Sequence, residues 1–128
     1  MDIKPLDKKT YAGRKFTARY HTNGYYDICP DERGFQVQYK LFDAPVERSF
    51  DDSRRGKGLG ARLLAPMLDA ARASGARMLI LETQSCNENA IAFYRWNGFD
   101  IVGFDLYAYS NTDPQQHEVR IEMGRKLT

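Results

Sequence analysis

Three glycines and three cations share the stretch Arg54-Arg55-Gly56-Lys57-Gly58-Leu59-Gly60-Ala61, directly before apolar residues at helical spacing. The chemistry open to such a stretch is anion binding. Glycines without Cβ let the backbone approach a ligand closely, successive N–H groups can point the same way, and a helix N-terminus adds the positive end of its dipole. Arg54, Arg55 and Lys57 supply charge at the rim. The bland alternative is a solvated basic turn before a helix. Among pyrophosphate ligands, a dinucleotide fits the spacing Gly56-x-Gly58-x-x-Ala61, with Glu82 at a strand end about 20 residues on, where a ribose-binding acid belongs. Against a dinucleotide, the residues before Arg54 are polar rather than a buried strand, and only one βαβ-like unit precedes the antiparallel C-terminal part. No Gly-Lys-Ser/Thr occurs, which excludes a Walker loop.

Other side chains could act on an amine. Glu82 stands where a strand leaves the core, so it can accept an ammonium proton, hold a cationic acceptor, or be an ordinary strand-end carboxylate. Asp105, Tyr107 and Tyr109 offer negative charge and ring faces for a basic amine, or simply pack a sheet. Cys86 lacks a neighbouring base that would make it a nucleophile.

A second constellation is more specific. Arg55-Gly56-Lys57-Gly58-Leu59-Gly60 matches the R/Q-x-x-G-x-G/A signature of the GCN5-related N-acetyltransferase (GNAT) superfamily, and Asn87-x-x-Ala90-Ile91-x-Phe93-Tyr94-x-x-x-Gly98-Phe99 resembles its second motif. Leu81-Glu82-Thr83-Gln84, Tyr109-Ser110-Asn111 and Glu118-Val119-Arg120-Ile121 resemble the branch that includes streptothricin acetyltransferases. The resemblance implies acetyl transfer from acetyl-CoA to a primary amine of a small molecule, in a direct ternary complex and without a metal, with an antibiotic as a candidate acceptor. It implies that the backbone of Gly56, Lys57, Gly58, Leu59, Gly60 and Ala61, beside Arg55, holds the CoA pyrophosphate. Asn87 would contact the pantetheine arm, and Tyr94 would protonate the departing thiolate; Glu82 is the candidate base by its strand-end position alone. A Tyr of reference pKa about 10 is a dependable proton donor to a thiolate whose conjugate acid has a pKa of about 8.5.

The resemblance also implies a helical segment and three strands before the glycine motif, the last of which binds the pantetheine. This chain instead runs from Phe42 through Ser53 directly into Arg54. Phe35–Leu41 is one stand-in for the missing strand, and another subunit is a second. A non-catalytic acyl-CoA-binding or assembly module is the alternative function. The open edge invites a homodimer, by strand exchange in one form.

The elements that must position these residues follow from periodicity. Phe35–Leu41 alternates as a half-wet strand, with Asn23-Gly24 and Arg33-Gly34 as turns and Ala44–Ser53 irregular. Leu63, Leu64, Met67, Leu68 and Ala71 predict a helix kinked at Pro66 and closed at Ser74-Gly75. Met78–Leu81 reads as a buried, parallel strand and Asn87–Trp96 as a short capped helix. Phe99–Tyr109 and His117–Met123 read as an antiparallel hairpin turned by Ser110–Pro114. The sum is an α/β fold with a mixed sheet, a shortened GNAT-like acyltransferase. One domain is expected over 1–128, with a strand-and-turn region over 1–53 and the motifs over 54–128.

A chain of 128 residues can bury roughly two thirds of its unfolded surface. Its net charge of +2, with both signs mixed, gives no basic stripe for nucleic acid. No run is long enough to cross a bilayer, and the N-terminus lacks an apolar core of signal-peptide length, so a cytoplasmic protein is expected. Cys29 and Cys86 have neither metal-ligand spacing nor a nearby His and are expected to be free thiols.

Overall fold

A computed structural model describes residues 18–50 and 59–128. Residues 51–58, and with them Arg54, Arg55, Gly56, Lys57 and Gly58, lie outside the described residues. The chain forms β1 (Ala18–Asp31), β2 (Gly34–Phe50), α1 (Leu59–Ala73), β3 (Met78–Gln84), α2 (Glu88–Trp96), β4 (Asp100–Asp105), α3 (Asp113–Gln116) and β5 (Arg120–Lys126).

β1 and β2 make a long antiparallel hairpin around Glu32-Arg33. Asp31 accepts the Arg33 N–H at 2.7 Å and Gly34 takes φ 134°, a conformation that only glycine adopts readily. Two expectations change here. Asn23-Gly24 does not end a strand, because β1 continues through it with a register shift between Thr22 and Gly24. Residues 44–50 belong to β2 rather than to an irregular segment, with Val46 opposite Thr22 and Phe50 opposite Ala18. The shift leaves Phe42 to Pro45 opposite Asn23 alone, so Pro45 sits in a bulge where its missing N–H costs no ladder bond.

The second sheet has the order β3-β5-β4 and is antiparallel throughout. β3 therefore pairs with the C-terminal strand rather than with a parallel neighbour. Half of Ile80 stays in solvent, which a strand buried on both faces would not allow. β4 stops at Asp105, short of the expected Tyr109, because Asp113 draws the following turn around itself. Its carboxylate accepts from the Tyr109 N–H at 2.8 Å and the Ser110 hydroxyl at 2.6 Å. β5 begins at Arg120, after His117 closes α3 in a left-handed conformation.

Both longer helices end in the same device. Gly75 at φ 76° donates to the Arg72 carbonyl while Ala76 donates to that of Ala71, and Gly98 at φ 81° donates to Arg95 while Phe99 donates to Tyr94. These paired bonds are Schellman motifs, which recover the last helical carbonyls. α1 continues through Pro66 and buries Leu64 and Leu68, leaving Leu63 and Met67 outside. The core joins Ile28, Leu64, Leu68, Ile91, Phe99, Val119, Ile121 and Met123 from both sheets and both helices. Each fully buried side chain among them stabilises the fold by roughly 1.5–3 kcal/mol. No described helix is long and apolar enough to cross a membrane.

Candidate active site

Gly60, of the glycine stretch, meets the second motif near the start of α1. A Cβ placed on Gly60 would stand 2.9 Å from Cζ of Phe93, closer than packed carbons tolerate, so the missing side chain lets α1 lie against α2. No acid occupies the first turn of α1, so nothing there neutralises its positive dipole end, and Ala61 and Gly60 are exposed. Of the glycine stretch, Leu59, Gly60 and Ala61 are thus seen opening the helix.

α2 carries the second motif. Asn87 is its N-cap, its side-chain oxygen accepting from the Ala90 N–H at 3.3 Å, and Glu88 adds a favourable acid to the first turn. The spacing Tyr94-x-x-x-Gly98-Phe99 is the spacing of the Schellman motif that ends this helix. Its 6→1 bond brings Phe99 back beside Tyr94, with ring centroids 6.0 Å apart, while Phe93 lies edge-on to Tyr94 at 5.5 Å. Tyr94 is consequently a half-buried phenol in an aromatic setting.

Glu82 lies elsewhere, on the exposed face of β3. Arg120 from β5 approaches Glu82 at 3.8 Å, Asp105 at 3.5 Å and Glu122 at 3.5 Å, so one guanidinium serves three carboxylates. Tyr109 belongs to the same surface: burial pushes its hydroxyl pKa up, and the Glu82 charge adds to the rise. Glu82, Asp105 and Tyr109 are thus brought together as an acidic and aromatic face, while Tyr94, on α2, is half-buried against the core. A basic acceptor would have to compete with Arg120 for these carboxylates.

β1 packs across the end of β3 where Asn87 begins α2. The Tyr26 N–H donates to the Ser85 carbonyl at 2.9 Å, and Asn87 is 3% exposed. Cys86 is fully buried, 3.6 Å from the Tyr20 hydroxyl, and burial pushes its thiol pKa up, the opposite of what a nucleophile needs.

Sequence reasoning missed Glu88 as a clamp between the hairpin and α2. Its carboxylate accepts from the Asn23 N–H at 2.7 Å, from the Asn23 amide at 3.1 Å and from the Tyr39 hydroxyl. Burial works to raise the Glu88 pKa, but these three donors prevail and it lies below the ordinary value. The same bond pushes the Tyr39 phenol up to about 12. Beside the clamp is an open pocket of about 290 Å³ lined by Tyr26, Tyr39, Glu88, Asn89 and Ala92. The one signal available in the sequence was an acid directly after a capping Asn. Among the described residues no group of three or more His, Cys, Asp and Glu is placed to hold a metal ion.

Residues 49–99 match the family described as the acetyltransferase (GNAT) family. The L-methionine sulfoximine/L-methionine sulfone acetyltransferase of Pseudomonas aeruginosa is 40% identical over 67 residues, 51% of this chain and 39% of that protein. The streptothricin acetyltransferase of Streptomyces lavendulae is 39% identical over 70 residues, 54% of this chain and 37% of that protein. The chain therefore matches less than two fifths of the length of either relative. Two solved structures share the fold. Nourseothricin acetyltransferase superposes with a TM-score of 0.76 at 20% identity, over 97% of this chain and 96% of that one. A Bacillus anthracis protein described as a streptothricin acetyltransferase, in complex with acetyl coenzyme A, superposes with a TM-score of 0.62 at 18% identity, over 84% and 87%.

Proposed function

Because the chain belongs to the GNAT superfamily, with relatives in the streptothricin acetyltransferase branch, we propose that it moves acetyl from acetyl-CoA to a primary amine of a small molecule. The observation that carries this reading is the contact of Gly60 with Phe93, which joins the helix opened by the glycine stretch to the helix bearing Tyr94. The acid-free first turn of α1 fits a pyrophosphate. In this reading the backbone of Gly56 to Ala61, with Arg55, binds that group. Bound acetyl-CoA supplies an activated acyl group, and the amine nitrogen gains the carbon that the sulfur loses. Tyr94 gives its proton to the sulfur, and Glu82, which stands apart from Tyr94 on the exposed face of β3, takes the proton lost by the amine through water. The relatives act, by their names, on acceptors as different as an amino-acid sulfoximine and streptothricin. The acidic and aromatic face around Arg120 favours a cationic acceptor, including an antibiotic of that kind.

A second reading, a non-catalytic acyl-CoA-binding module, is favoured by the way β1 covers the end of β3. Asn87 spends its side-chain oxygen on capping α2 and is nearly inaccessible to a pantetheine arm. Thermal stabilisation separates the possibilities. CoA is expected to raise the melting temperature and NAD to leave it unchanged; the reverse would end both CoA readings. Given CoA binding, amine-dependent release of free thiol supports the transferase, and its absence across a broad amine panel supports the binding module.

A further inference from the structure

Trp96 is the single tryptophan of the chain and stands 91% exposed, further into solvent than any other large apolar side chain among the described residues. Indoles are large and mostly covered in folded chains, so this one leaves a broad ring face that the fold itself does not use. The rest of α2 is occupied. Ile91 is fully buried, Tyr94 lies against Phe99, and Glu88 and Ala92 line the pocket beside the hairpin. Phe93 meets α1, its ring 2.9 Å from where a Cβ on Gly60 would stand. Trp96 follows Phe93 by three residues, so the two are neighbours on the helix surface, with Cβ atoms about 5–6 Å apart. We infer that Trp96 is the platform on which the adenine of CoA stacks, an inference that rests on the reading of α1 as the pyrophosphate helix.

CoA extends in two directions from its pyrophosphate. Its pantetheine arm has to reach Tyr94, which is half-buried against the core, so the nucleotide has to leave along the surface. One ribose joins the pyrophosphate to the base and spans roughly one helical turn, about 5 Å, which matches the step from Phe93 to Trp96. A flat purine and a flat indole also suit one another, because offset stacking of two ring systems needs no fixed hydrogen-bond pattern. Charge points the same way. Arg95 precedes Trp96 and Arg125 donates to the Asn97 carbonyl at 2.9 Å, while Asp100, 3.9 Å from Arg95, offsets one of these two cations. The remaining positive charge suits the phosphate on the CoA ribose. It disfavours a cationic amine here, and the carboxylates that such an amine needs gather instead around Arg120.

Because the chain has one tryptophan, its indole emission reports Trp96 alone. CoA and adenosine 3′,5′-bisphosphate, each titrated into the full chain, should quench that emission to saturation, while 4′-phosphopantetheine, which lacks the base, should leave it unchanged. Calorimetry gives a second readout. Trp96→Ala should bind CoA about tenfold more weakly and Trp96→Phe should recover most of the loss, since stacking of one base on an aromatic ring is worth about that factor. The melting temperature without ligand should not move, because so exposed a side chain contributes little packing. CoA that binds with unchanged emission, or with the same affinity for Trp96→Ala, would overturn the adenine platform and leave the proposed acetyl transfer standing. Quenching by 4′-phosphopantetheine would overturn it as well, by setting the arm rather than the base at Trp96. A chain that binds no CoA would end both readings.

Discussion

Glu88 holds the hairpin to the helix that carries Tyr94, and its contribution can be worked from its three donors. A hydrogen bond to a charged group contributes about 1.5–3 kcal/mol when shielded, and competition from water at a half-exposed site reduces this to about 1 kcal/mol each. Glu88→Ala also removes the favourable acid at the N-terminus of α2. The expected loss is about 2–3 kcal/mol in urea unfolding, or roughly 8–12 °C in melting temperature for a chain of this size. Tyr39→Phe should lose about 1 kcal/mol, and the double variant should lose less than the sum, leaving a coupling energy near 1 kcal/mol. The pH dependence follows from the two shifts. Glu88 has a lowered pKa, so its contribution is present above the ordinary 4.5 and is lost as pH falls below it. Tyr39 is raised from 10 to about 12, so its contribution is complete below pH 10 and is lost as pH rises through about 12. Additive single losses, or a Glu88→Ala variant as stable as the parent, would refute the clamp.

Gly60→Val should drive a branched side chain into Phe93, costing about 1–3 kcal/mol in overpacking and weakening CoA binding; shortening Phe93 to Leu in the same chain should recover part of the stability. His117 stacks on Tyr25 at 3.8 Å and burial holds its pKa below the ordinary 6.5, so stability is complete above pH 6.5 and falls as the solution is acidified through the lowered value. His117→Asn, which keeps a residue suited to φ 59°, should flatten that part of the melting-temperature profile, and an unchanged slope would assign it to another group. Tyr94→Phe should slow turnover by about 10²-fold or more with little change in CoA affinity, as measured by initial rates and calorimetry; an unchanged rate would remove Tyr94 as the acid.

Local chemistry was legible in the sequence and long-range pairing was not. Ser74-Gly75 and Asn97-Gly98 marked both helix ends, because a left-handed glycine after an amphipathic run has few other uses. The alternation of Phe35–Leu41 gave a strand, and the C-terminal hairpin was visible from its turn residues. Pro45 and the charges after it read as a loop beyond β2, and only the register against β1 shows that the proline occupies a bulge. β3 looked parallel because a short apolar run gives no information about its neighbour. Within the candidate site, Gly60 had a visible reason to be glycine, but its contact with Phe93 depends on two helices meeting. Tyr94 and Glu82 could be placed on their elements, while Arg120 standing among Glu82, Asp105 and Glu122 is a consequence of sheet order. The Glu88 clamp links residues 23, 39 and 88 and has no local signature beyond the acid after Asn87.

Incubation of the purified chain with acetyl-CoA and cationic primary amines, followed by mass spectrometry of the amines, tests acetyl transfer most directly. One acetyl group should appear on an amine nitrogen, in proportion to free thiol released and only when protein and acetyl-CoA are both present. An amine panel left unmodified by a chain that binds CoA would contradict acetyl transfer and leave the binding module in its place.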